Sequence, residues 1–100
     1  MIIYSVEITV HEIISNEWVD WMNKTHIPDV MNTQLFVAFH FFKNINSENT
    51  YTIQYELDNF EDFLKYEKKF AKKLQLEHSE KFKNKFKANR NIFIKKSLNS

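Results

Sequence analysis

The hydrophobic period of this chain switches repeatedly between two residues and 3.6, and the order of those switches leaves few folds open. Residues 2–10, IIYSVEITV, put Ile2, Tyr4, Val6, Ile8 and Val10 on one face and Ser5, Glu7 and Thr9 on the other, as a half-buried strand does. The spacing then turns helical. Ser15 or Asn16 offers a cap, Glu17 sits where the macrodipole favours an acid, and Trp18, Met22 and His26 recur at i, i+4 and i+8, flanked by Trp21 and Thr25. Pro28 is expected to end this helix, since the residue before a proline is pushed out of the helical region, with PDVMN adding one further turn. Residues 35–43, LFVAFHFFK, and 50–57, TYTIQYEL, pair as a hairpin around the polar NINSEN turn. A second helix starts from an Asp58 or Asn59 cap, with Phe60, Phe63, Leu64, Phe70 and Leu74 as its buried stripe. A further helical stretch adds His78, Phe82 and Phe86, and residues 91–96, NIFIKK, close as a fourth strand.

The resulting order, β-α-β-β-α-(α)-β, predicts an α+β ferredoxin-like fold: a four-stranded antiparallel sheet with helices on one face. Residues 1–96 form one domain, and 97–100 are expected to fray. Such a sheet should alternate along each strand if its other face meets water. LFVAFHFF does not: Val37, Phe39 and Phe41 point one way, and Phe36, Ala38 and Phe42 the other. IFI at 92–94 repeats the pattern. Both faces therefore read as apolar, and the cheapest cover for the second is another copy of the chain, giving a homodimer through the sheet face.

Composition excludes several chemistries. The chain has no glycine, so the Gly-rich phosphate loops of P-loop and Rossmann sites cannot form, and no cofactor is expected. It has no cysteine, which removes disulfides and thiolate ligands or nucleophiles. No apolar run approaches the roughly 18 residues of a membrane span, and the first residues lack a signal-peptide pattern, so the expected compartment is the cytoplasm. Lysine outnumbers arginine thirteen to one, a bias that AT-rich coding would produce without functional cause. Charge is split: residues 1–64 carry ten acids against two lysines, and residues 65–100 carry twelve bases against three acids. Such a basic half can track a phosphate backbone, but lysines on a solvated helix face are the plainer reading, and nucleic acid is not expected as a partner. The βαββαβ order is also that of an RRM, yet TYTIQYEL lacks the basic and aromatic pattern of an RRM's third strand.

Five groups of residues can carry chemistry. His26 closes the first helix, where the C-terminal dipole favours an imidazolium and the Pro28 break can turn the ring into the gap between helix and sheet. Trp18, Trp21 and Met22 line the same stripe; they are either plain core or the wall of a flat apolar pocket for a planar ligand. Glu7, His40 and Gln54 converge if the polar faces of their strands coincide, as an acid–base pair or as a structural network. Tyr55 and Tyr4 can reach the helix-facing pocket. His78, between Glu77 and Glu80, matches no metal-binding spacing, and as a bare residue it reads best as a cap at a helix break; no metal site is expected.

The topology with face-to-face pairing resembles the dimeric α+β barrel proteins, which include antibiotic-biosynthesis monooxygenases, EthD-like proteins and several small isomerases. EthD-like members end their first helix in an aromatic-rich segment followed by His-x-Pro, and EWVDWMNKTHIPDVM is similar. That likeness makes His26 the first functional candidate. Nearly the whole chain resembles a family of short bacterial proteins known only as a domain of unknown function, through MIIYSV, EWVDWMNKTHIPDVM, YTIQY and LQLEHSEKFKNKF. This second resemblance implies the fold and keeps His78 among the site residues, but it implies no activity. Three functions follow in order: binding of a small apolar or planar molecule between first helix and sheet; a cofactor-free oxygenase or isomerase with a histidine as acid or base; and weak nucleic-acid binding.

Overall fold

The computed structural model describes residues 1–97; the rest of the tail expected to fray lies outside the described residues. Four strands, β1 (Ile2–Val10), β2 (Ala38–Lys43), β3 (Thr50–Leu57) and β4 (Phe86–Ile94), form one antiparallel sheet in the order β2-β3-β1-β4. Two helices, residues 15–31 and 60–81, complete the ferredoxin-like α+β arrangement. The alternating residues of β1 and β3 meet in register (Ile2 with Leu57, Tyr4 with Tyr55, Val6 with Ile53, Ile8 with Tyr51), and all eight are buried under the helices.

The first helix does not end at Pro28. It begins as Ser15–Trp21, passes through a π turn at Met22–His26 and continues as Ile27–Met31. The Ile27 N–H donates to the Met22 carbonyl five residues back, and Ile27 keeps helical angles although it precedes proline. In a regular helix the proline ring would press on the carbonyl of residue 24; the widened turn relaxes that contact. Neither Ser15 nor Asn16 caps this helix. The cap is one turn earlier, where His11 Nδ1 accepts from the Ile13 N–H at 3.2 Å and opens a short 3-10 turn.

A second π turn, Glu67–Ala71, interrupts the other helix between Phe60–Tyr66 and Lys72–Lys81. Asn59 caps its start, its side chain accepting from the Asp62 N–H at 2.9 Å. The π turn changes which residues are buried. Phe60 and Leu64 are exposed, whereas Phe63, Tyr66, Ala71, Leu74, His78 and Phe82 face the sheet. Phe86 is not helical: the helix stops at Lys81, Asn84 takes a left-handed φ of 62°, and Phe86 opens β4, five residues earlier than the sequence pattern suggests. Among the described residues the other left-handed positions are Gln34 and Asn49; in a chain without glycine, asparagine takes two of these three, as the residue that next best tolerates that region.

The uncovered sheet face differs from expectation in one respect. Phe36 is not on it. It lies before β2 and packs into the core against Tyr4, Tyr55 and Tyr66. The register places three rows across this face: Ala38, Glu56, Ile3 and Phe93; then His40, Gln54, Ser5 and Asn91; then Phe42, Thr52, Glu7 and Asn89. Its apolar side chains thus lie at the rim, with Phe42 and Phe93 each 49% exposed, around a polar middle row.

Candidate functional site

The π turn in the first helix decides where His26 points. In an uninterrupted α-helix a residue at i+8 lies about 80° away from residue i, but one inserted residue sets everything beyond it back by about 100°. His26, the last residue of the π turn, thereby returns to the line of Trp18 and Met22 and faces the sheet. Thr25, placed by simple spacing on the same stripe, is exposed.

His26 and His78 meet with ring centroids 5.6 Å apart beside a cavity of about 30 Å3, room for about two water molecules. Met22, Tyr55, Tyr4, Gln75 and Arg90 also line it. Trp21 stacks on His26 at 5.1 Å, and Phe86 meets His78 edge-on at 4.1 Å. Trp18, completely buried, donates its indole N–H to His78 Nε2 at 2.8 Å. An indole nitrogen can only donate, so His78 Nε2 carries no proton, and the neutral ring holds its proton on Nδ1. His78 is therefore a buried, oriented partner inside the helix rather than a cap at its break.

Both imidazoles are held neutral. Burial pushes His26 down to about 4; Asp29 opposes the shift and the Arg90 guanidinium adds to it. Burial also pushes His78 down to about 4, aided by His26 and then Arg90. The dipole expectation of an imidazolium at His26 thus fails twice: the helix continues past it, and desolvation outweighs any dipole. His26 Nδ1 is buried with no hydrogen-bond partner. Deeper in the core, burial raises the phenols of Tyr55 and Tyr66, and it raises Tyr4 against the opposing effects of Arg90 and Gln75.

The nine candidate residues divide between the two sides of the sheet. Trp18, Trp21, Met22, His26, Tyr55 and His78 come together on the helix side. Glu7, His40 and Gln54 share the opposite face, with His40 paired to Gln54 in register. The carboxylate beside His40 is Glu56, not Glu7: His40 Nε2 and Glu56 Oε2 are 2.7 Å apart at the surface. Sequence reading passed over Tyr66, Gln75 and Arg90. Arg90 had a visible signal, being the only arginine among fourteen basic residues and lying at an inward position of a strand. Among the described residues no three His, Asp or Glu side chains group as ligands for a metal ion, and no helix is long and apolar enough to cross a membrane.

Residues 1–96 match the family described as "Domain of unknown function (DUF4286)". The chain belongs to that family. No protein of curated function matches it in sequence. Among solved structures it is similar to SnoaB, a cofactor-independent oxygenase from Streptomyces nogalater, at 14% identity and a TM-score of 0.74 over 99% of this chain and 97% of the other. A protein from Arabidopsis thaliana matches at 16% identity and a TM-score of 0.75, covering 98% of each chain. A dimeric ferredoxin-like protein from an uncultured marine organism matches at 16% identity and a TM-score of 0.73, over 97% of this chain and 96% of the other. At these identities the likeness is one of fold.

Proposed function

We propose that the cavity between the first helix and the sheet, once opened into the adjoining groove of about 200 Å3 along Tyr4, Tyr66, Gln75 and Arg90, is an acid–base site that takes a small planar, enolisable molecule and moves a proton on it without a cofactor. The observation that carries this reading is His26, a half-buried neutral imidazole whose Nδ1 is buried and unpartnered, set against a second neutral histidine in one cavity. A lone histidine among apolar walls would favour simple binding. Two imidazoles, a guanidinium and three phenols converging there favour proton transfer. A neutral imidazole can take a proton from an acidic C–H, the electron pair remaining on the substrate as an enolate that the dry pocket shields from water. SnoaB, on a similar fold, works without a cofactor, and an oxygenase or isomerase of that kind is the reaction class this site fits. The planar probe 2-indanone tests it. Wild-type protein should accelerate deuterium exchange at the ketone's α-carbon, and His26→Gln should lose roughly 100-fold of that acceleration. Equal rates from both proteins, with both shown folded by thermal melting, would leave the cavity as a binding pocket only.

The working unit on this reading is a homodimer in the cytoplasm, paired through the uncovered sheet face. The exposed Phe42 and Phe93 at its rim support this, as does the dimeric state of the marine ferredoxin-like protein. Glu7, His40 and Gln54 would then lie between the two sheets and supply polar contacts there. Light scattering coupled to size exclusion at micromolar concentration should give twice the 12.2 kDa chain mass, and a monodisperse monomer would refute the pairing.

A further inference from the structure

Arg90 is the chain's only arginine, and its position is unusual. It pairs in register with buried Val6, so it lies on the helix side of the edge strand β4, in a row otherwise made of Phe86, Ala88, Ile92 and Ile94. Among the described residues the ion pairs are Lys24 with Asp20 and His40 with Glu56, so no carboxylate of the fold neutralises this guanidinium. Glu67 lines the same groove without reaching it. The guanidinium is exposed and lies beside the Tyr4 hydroxyl, so it is a permanent cation with no charge partner, available to an anion at the mouth of the cavity.

The surroundings show what would fit. The histidine cavity and an adjoining groove of about 200 Å3 share four lining residues, Tyr4, Tyr66, Gln75 and Arg90. Gln75 and Arg90 are long, unbranched side chains between the two spaces, and rotating them would join cavity and groove into one pocket. That pocket would have aromatic walls, neutral histidines at its inner end and the guanidinium at its mouth. We propose that the molecule taken up is a planar acid, one or two rings in size, whose carboxylate seats on Arg90 while its ring lies toward His26 and His78. The planar fork of arginine matches a carboxylate with two parallel hydrogen bonds, and the low-polarity walls strengthen that pairing. Seating an anion there has a second consequence. Arg90 is one of the groups holding both histidines neutral, so a bound carboxylate relieves that repulsion and makes each imidazole a stronger base. The acid would thereby sharpen the base that acts on it. This inference rests on the acid–base reading of the cavity and adds the charge of its substrate.

The test compares benzoate and 2-naphthoate with the neutral benzamide and 2-naphthamide, and with phenyl phosphate. Binding is followed through the indole N–H resonances of Trp18 and Trp21 in wild type, Arg90→Gln and Arg90→Lys. The acids should bind wild type roughly tenfold or more tightly than their amides, as a charge-assisted pair implies. Arg90→Gln should abolish the preference and leave amide binding unchanged, while Arg90→Lys should retain part of it. With acid bound, the C2–H titration of His26 should move to higher pH in wild type and not in Arg90→Gln, a change that a purely structural arginine would not produce. An acid preference that survives Arg90→Gln, or amides binding as well as acids, would overturn the anion assignment and leave the cavity reading standing. Phenyl phosphate binding more tightly than benzoate, with the same dependence on Arg90, would overturn the carboxylate. No binding by any probe would overturn both readings together.

Discussion

The two faces of the sheet hold histidines in opposite conditions. On the helix side His78 is buried and His26 half-buried, and both stay neutral because desolvation penalises their charged forms, at His26 against the opposing pull of Asp29. On the open side His40 is 50% exposed and lies 2.7 Å from Glu56. The same side chain is thus a neutral element of the cavity wall on one face and the hydrogen-bonded neighbour of a surface carboxylate on the other. What separates them is the presence of a helix over one face. Chemistry that needs an unprotonated imidazole in a dry place belongs on the covered side.

Substitutions can break this contrast, and the covered side should respond most. Trp18→Phe removes the indole N–H that donates to His78 Nε2 and leaves a void in the centre of the core. It should cost about 2–4 kcal/mol, read from the shift of the urea midpoint at constant slope. Acid should come next. In the unfolded chain an imidazole takes up its proton near pH 6.5, whereas His26 and His78 in the fold resist it until about 4. Between those values the unfolded state binds more protons, so stability falls as pH drops from 6.5 toward 4, by on the order of 2 kcal/mol for each histidine. Above pH 6.5 neither contributes to the slope. His26→Gln should remove about half of this dependence in urea titrations taken at pH 7, 5.5 and 4.5; an unchanged profile would mean the ring is not desolvated. The smallest effect belongs to the open face. Glu56→Gln should change stability by about 0.5 kcal/mol or less at micromolar protein, as exposed ion pairs do. A larger loss that grows on dilution would place the pair inside a dimer interface.

Much of the fold was legible because strands and helices announce themselves by period. The alternation of residues 2–10 places five buried residues of β1, and TYTIQYEL places Tyr51, Ile53, Tyr55 and Leu57 beneath the helices. Errors gathered where local rules meet packing. Pro28 looked like a stop, yet the π turn before it absorbs the strain and carries the helix on. Phe36 and Phe86 were assigned by continuing a pattern past the end of its element. Leu64 fits a stripe run back from Phe70 and Leu74, but the second π turn puts the later segment one residue out of phase with the first, whose buried line is Phe63 and Tyr66. For the site, the cluster WVDWMNKTHIPDVM marked the first helix as its wall, but the bond from Trp18 to His78 joins residues sixty apart and has no local signature.

The chain's own pattern was sufficient for the order of elements, the α+β class, the chemistries that a sequence without glycine or cysteine forgoes, and the helix that carries His26. These follow from period and residue type, which are local. Only the folded arrangement determined that His26 meets His78, that both are neutral, that His40 faces Glu56 across the sheet's other side, and that the single arginine stands at the mouth of the cavity. Burial and the convergence of distant residues are properties of packed surfaces. A π turn, one residue out of step, is enough to redirect a side chain toward the sheet.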